Sequence, residues 1–201
     1  MKKSNLLGLC SIALITVATM SCSVFLPVTI PEVQTYQIAL PHSNSTECKP
    51  RIDAPDLLIT RMKAEEPYDS DNMYYAKSRY QLNHYSRNQW VAAPNIMLTK
   101  VIQEKLLQSC EYGNVVNADF MTSSNYRLNT QLLELQQNIN ESPAVVTLAV
   151  LVQLVDNKAN RVVKSKTFIE KTTTTANPAG YVDGTNIVVT KFLANLLAWL
   201  K

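Results

Sequence analysis

The stretch Val145-Val146-Thr147-Leu148-Ala149-Val150-Leu151-Val152-Gln153-Leu154-Val155 decides the fold. Val146, Leu148, Val150, Val152 and Leu154 recur with a period of two, which sends them all to one side of an extended chain. That side is wholly apolar and must face a core, while Thr147 and Gln153 lie on the other. The strand runs into Asp156-Asn157-Lys158-Ala159-Asn160, a turn composition, and residues 162–170 return as its hairpin partner. The polar run 172–175 marks the end of that partner, and Gly180 and Gly184 bracket the entry to a closing helix. In that helix Ile187, Val188, Phe192, Leu196 and Leu200 share one stripe, with Leu193, Leu197 and Trp199 beside it. A helix apolar over more than one face is expected to be buried. An exposed groove for a partner or a lipid tail is the competing reading.

Outward from this hairpin, residues 126–136 read as a longer strand and 115–118 as a short one. Pro94 opens the clearest helix, because the N–H that proline lacks would be unpaired in a first turn anyway. Leu98, Val101, Ile102 and Leu106 fall on one face of it, and Lys100, Gln103, Glu104 and Lys105 lie mostly elsewhere. It ends near Cys110, with Gly113 at the turn. Residues 73–78 and 80–85 are rich in aromatics and predict a second hairpin. Residues 56–61 and 33–40 read as two further strands, and 41–50 as a polar loop. The order strands, helix, strands, helix predicts an α+β fold: a single domain with a mainly antiparallel sheet and two principal helices packed on it.

The first residues are a leader rather than fold. Lys2 and Lys3 precede an apolar run without acids that ends at Met20, the pattern of a secretory signal. The run from Ser11 to Met20 is too short to span a bilayer, which takes roughly 20 apolar residues. Thr19-Met20-Ser21-Cys22 resembles a lipobox, with small Ser21 directly before the cysteine. The expectation is therefore a signal peptide over 1–21, a lipidated tether over 22–32 starting at Cys22, and a periplasmic domain over 33–201. Ordinary cleavage leaving Cys22 as a free thiol is the alternative. Acyl chains stabilise anchoring by about 0.8 kcal/mol per buried CH₂, so a multiply acylated Cys22 would hold firmly. Ser23, after the cysteine, resembles the outer-membrane sorting class. Cys48 and Cys110 are the cysteines left in the domain. In an oxidising compartment such a pair usually forms a disulfide, which is favoured here over two separate thiols.

Several function classes lack their residues. Without Lys2 and Lys3 the formal charge falls from +3 to +1, so nothing draws the domain to nucleic acid. His42 and His84 stand alone, with no His pair at metal-binding spacing and no Cys/His cluster. There is no G-x-S-x-G, P-loop or G-x-G-x-x-G, and no cofactor is expected. Glu65, Glu66, Asp69 and Asp71 offer a carboxylate pair for a hydrolase; the preferred reading is a solubilised loop between strands. No catalytic residue is assigned. Tyr74, Tyr75, Tyr80 and Tyr85 are the candidate partner-binding residues, since tyrosine is enriched at interface hot spots. Trp90, just before a helix that must dock on the sheet, is expected in the core.

The run Met73-Tyr74-Tyr75, Tyr80-Gln81-Leu82, Tyr85 and Trp90, followed by Pro94 and the helix carrying Leu98, Ile102 and Leu106, resembles the ABC-type transport auxiliary lipoprotein component family. Tyr126-Arg127-Leu128, the 145–156 strand, Phe168 and the close Leu196-Leu197-Ala198-Trp199-Leu200 follow in that family's order, so the resemblance covers most of the mature chain. The lipobox and the Cys48/Cys110 pair depart from its usual pattern. The resemblance implies a non-enzymatic lipoprotein at the outer membrane. It implies docking to the MCE-domain (mammalian cell entry) protein of an ABC transport system that moves lipids between membranes. Homo-oligomerisation stays open. A structural assembly lipoprotein, such as a pilotin or an outer-membrane assembly subunit, is the rival.

Overall fold

The structure is a computed structural model that describes residues 32–40, 53–118, 120 and 123–201. The leader, Cys22, the polar loop with His42, and Cys48 lie outside the described residues. The elements are β1 (Gln34–Tyr36), β2 (Leu57–Ile59), β3 (Lys63–Ala64), β4 (Asn72–Ser78), β5 (Gln81–Trp90), α1 (Pro94–Ser109), β6 (Val115–Asn117), β7 (Tyr126–Asn138), β8 (Ala144–Asp156), β9 (Arg161–Thr174) and α2 (Pro178–Leu200).

The deciding stretch is β8, and its apolar face is buried as expected, while Thr147, Ala149 and Val155 on the other face are buried as well. Val146, Leu148, Val150 and Val152 have no accessible surface, and Leu154 is buried. β8 pairs antiparallel along its length with β7 on one side and β9 on the other. The turn between β8 and β9 is closed by Asn160, which takes a positive φ of 47°. Asparagine tolerates that region better than most residues. The Asp156 carboxylate accepts a hydrogen bond from the Ala159 N–H at 2.9 Å.

The class is α+β with two helices, and the sheet is mixed. The long ladders β4–β5, β7–β8 and β8–β9 are antiparallel. Five short ladders are parallel: β1–β5, β2–β6, β2–β7, β3–β7 and β4–β7. Strands β2, β3 and β4 lie one after another along a single edge of β7. Leu57 pairs Tyr126, Lys63 pairs Gln131 and Tyr75 pairs Gln137. Parallel partners need crossover connections, and each parallel ladder here is two or three pairs long, too short to carry a periodic signal. The two-residue β3 was not expected at all.

Two boundaries also shift. The polar run beyond residue 170 continues β9, with Thr172 opposite Val146 and Thr174 opposite Ala144, since threonine suits a strand. The closing helix starts at Pro178, so Gly180 and Gly184 lie inside its first two turns. Its start is set by Asn177, whose side chain accepts from the Gly180 N–H at 2.7 Å, followed directly by proline.

One core joins both helices to the sheet. Leu98, Ile102 and Leu106 of α1 meet Val188, Phe192 and Leu196 of α2 over Val146, Leu148, Val150 and Val152. Burial of the closing helix is therefore the correct alternative, although Ile187 points outward. Phe168 and Phe192 pack edge to face at 5.5 Å. Trp90 is 1% exposed and packs edge to face on Tyr181, with centroids 5.4 Å apart.

Candidate docking surface

The four tyrosines singled out by the sequence all sit on the β4–β5 hairpin, but they do not form one patch. Tyr74 and Tyr75 are neighbours in a strand and point to opposite faces. Tyr74 is opposite His84 and meets the rings of His84 and Tyr68 edge-on, at 6.2 and 6.1 Å. Its hydroxyl lies 3.3 Å from the Ser70 hydroxyl and accepts from the Asn72 amide. Tyr75 lies over Tyr85, with centroids 4.5 Å apart. The Tyr85 hydroxyl donates to Gln137 Oε1 at 2.7 Å, and Gln137 Nε2 donates to the Thr175 carbonyl at 2.6 Å. Gln137 has no accessible surface, so Tyr85 ties the hairpin through β7 to the approach of α2. That is a structural role.

Tyr80 differs. It occupies the turn of the hairpin and is 89% exposed, with the Arg79 guanidinium 5.7 Å from its ring centre. Leu82 is exposed beside it, and the Lys77 ammonium lies 5.7 Å from the Tyr75 ring. The tip therefore presents an aromatic ring, an aliphatic side chain and cations together.

Burial governs the titration of the rings behind it. Tyr68 is pushed up to about 12 by burial, helped by the Glu134 carboxylate and by Tyr74. Tyr85 is pushed up to about 12 by burial and then by Tyr75. Tyr181 is raised further, again by burial first. Burial also raises the Glu134 carboxyl, although Lys171 and a hydrogen bond from Gln136 pull it down. A raised phenol keeps its proton in the folded chain when the unfolded chain has lost it. This contribution to stability is complete below pH 10 and is lost as the pH rises through about 12. In an ultraviolet titration of the nine tyrosines, a late phase near pH 12 or beyond is expected, and Tyr85→Phe should shrink it. One phase centred on pH 10 with the circular dichroism intact would contradict this packing.

A cleft of about 420 Å³ lies where α2 ends beside β8 and β9. Tyr112, Tyr126, Leu154, Val163, Leu197 and Leu200 line it. Its charges are engaged: Lys201 meets Glu111 at 3.1 Å, and Lys164 Nζ donates to the Trp199 carbonyl at 3.0 Å. Sequence reasoning missed this cleft, because its walls come from segments far apart in the chain.

Of the candidate carboxylates, one has a structural partner and two are exposed. Asp69 accepts from the buried Asn95 amide at 2.9 Å, anchoring the start of α1, while Glu65 and Glu66 are exposed. The Asp71 carbonyl accepts from the Trp90 N–H at 2.7 Å. Among the described residues no three His, Cys, Asp or Glu side chains gather as a metal site, and no helix is long and apolar enough to cross a membrane. Cys110 ends α1 in the left-handed region, with φ 55°.

These features define the class by fold: an α+β domain of one mixed sheet and two helices, with an aromatic hairpin at its surface. The chain belongs to the ABC-type transport auxiliary lipoprotein component family, whose model matches residues 36–196. Solved structures carry the same fold. Protein XCC0632 from Xanthomonas campestris is 17% identical, with a TM-score of 0.71 over 83% of this chain and 94% of that one. An uncharacterized protein is 14% identical, with a TM-score of 0.68 over 85% of this chain and 100% of its own. The hypothetical protein CT253 from Chlamydia trachomatis is 6% identical, with a TM-score of 0.50 over 73% and 95% of the two chains. No curated protein matches the sequence.

Proposed function

We propose that this chain is the docking lipoprotein of an ABC/MCE-type system that moves lipid between the two membranes. Cys22 carries its acyl anchor in the outer membrane, and the domain faces the periplasm and receives the MCE component. The observation that carries the reading is the family match across 36–196, which makes the chain an auxiliary component of ABC-type transport. The leader ending at Cys22 supports anchoring. The nine residues 23–31 reach about 15–18 Å as a random coil and about 30 Å when stretched, enough to hold the domain close to a membrane. Within the hairpin, Tyr80 is the residue placed to meet a partner, with Tyr74 and Tyr75 behind it. The Cys48–Cys110 bridge, closed after export, is part of the same proposal, as is self-association at the membrane.

The test is a crosslinked pull-down from whole envelopes with a C-terminal tag, comparing the native chain with Cys22→Ala. An MCE-domain protein is expected with the native chain, and at least a tenfold smaller yield with Cys22→Ala. A secretin or a barrel-assembly protein as main partner would replace the transport reading with the assembly one. Digestion of the same material without reductant should release Cys48 and Cys110 as one linked peptide pair; recovery of both as free thiols would remove the bridge. Native mass of the crosslinked material reports the number of copies, and a monomer throughout would remove self-association.

A further inference from the structure

The two ends of the sheet are unlike. On one side it finishes in β1 and β6, each three residues long. On the other it finishes in β9, fourteen residues long, which among the described residues pairs only with β8. Proteins usually blunt such an edge by keeping it short, covering it or charging it, because its unpaired main-chain groups are a template for another strand. β9 is not short, and among the described residues no strand lies beyond it. Val162, Val163 and Ile169 are 49%, 39% and 61% exposed, and Ser165, Lys166 and Thr167 are exposed between them.

What the first nine residues of β9 have is charge of one sign. From Glu170 onward the strand is tied to α2: the Asn195 amide donates to Glu170 at 2.7 Å, and Lys191 Nζ donates to the Lys171 carbonyl at 3.2 Å. The part whose main chain is left open is therefore 161–169, which carries Arg161, Lys164 and Lys166 and no acid; Lys164 is held on the Trp199 carbonyl of α2, so Arg161 and Lys166 are the cations left to meet a partner. Lys166 lies 4.7 Å over the ring of Phe168. A second copy of the chain pairing edge to edge would set these cations against their equivalents, and like charges across a strand pair destabilise it. An acidic strand meets no such barrier.

We infer that residues 161–169 of β9 form a strand-addition site for an extended, acidic segment of a partner polypeptide, with apolar residues alternating along it. Main-chain hydrogen bonds to the open edge would supply affinity, and Arg161 and Lys166 would supply selection. The inference rests on the docking reading only for the source of that strand.

The probe is a nonapeptide of alternating Val and Thr with Glu at three positions, set beside the same peptide with Lys at those positions. Hydrogen exchange of the full chain in detergent reads the outcome. The acidic peptide at saturation should slow the amides of 161–169 at least tenfold, and the basic one should not. Arg161→Glu combined with Lys166→Glu leaves the backbone unchanged and should exchange the two preferences. No protection at 161–169, protection that ignores peptide charge, or native mass showing copies joined through β9 would each overturn the inference. An MCE protein recovered from envelopes while the peptide fails would sink strand addition alone.

Discussion

Replacing Trp90 with alanine is expected to lower the free energy of unfolding by about 3–5 kcal/mol, the range for a large aromatic removed from a closed core. Trp90 ends β5, and its N–H is fixed on the Asp71 carbonyl at 2.7 Å. The backbone therefore cannot follow a shortened side chain into the gap. The indole lies between the hairpin and Tyr181, whose hydroxyl donates to the Leu135 carbonyl at 2.7 Å. Tyr181 is thus pinned as well, and the space left behind stays open. The effect belongs to volume and not to polarity. The indole N–H of Trp90 is buried with no partner among the described residues, so Trp90→Phe gives up no hydrogen bond, loses only part of the volume and should cost clearly less than alanine. Urea denaturation of the three chains measures this. A loss below about 1 kcal/mol for alanine would mean that Trp90 is not walled in. Tyr80→Ala is the useful contrast. Exposed surface positions usually change stability by no more than about 0.5 kcal/mol, so any loss of partner capture from that variant reports docking and not unfolding.

That contrast also shows what the sequence could reveal. β8 announces itself because every second residue from Val146 to Leu154 is apolar and buried. α1 does so because proline opens it and one apolar stripe meets the core. β2, β3 and β6 are three residues or fewer. The places of β2 and β3 beside β7, and of β6 beside β2, are fixed by tertiary pairing, which leaves no local pattern, and so the parallel ladders were invisible. The tyrosines were legible as a group because they are close in sequence. Their separation into an exposed tip, a clamp and two half-buried faces depends on strand pairing and on Gln137, which has no accessible surface in β7 and holds Tyr85 from the other side. The edge of β9 reads in sequence as an ordinary return strand, and only the sheet order shows that nothing described lies beyond it.

The entry of α2 is the second place where a small change should have a large effect. Gly184 faces β8 so closely that a Cβ there would lie 2.7 Å from Val146 Cγ2 and 3.2 Å from Val146 Cβ. Glycine in a helix interior costs roughly 0.5–1 kcal/mol relative to alanine, so its presence there is explained by this approach. Gly184→Val must push α2 away from β8 or force Val146 off its rotamer. Both sit at the centre of the core, and overpacking of this kind costs about 1–3 kcal/mol. The displacement would be felt beyond the helix. The Thr175 carbonyl just ahead of α2 accepts from Gln137, which holds Tyr85 and with it the hairpin. A double-mutant cycle separates the causes. Val146→Ala alone should destabilise by leaving a cavity, yet in the Gly184→Val background it makes room for the new side chain. A favourable coupling of at least about 1 kcal/mol between the two positions is therefore expected. Strict additivity would mean that the cost of Gly184→Val arises inside the helix and not at its contact with β8.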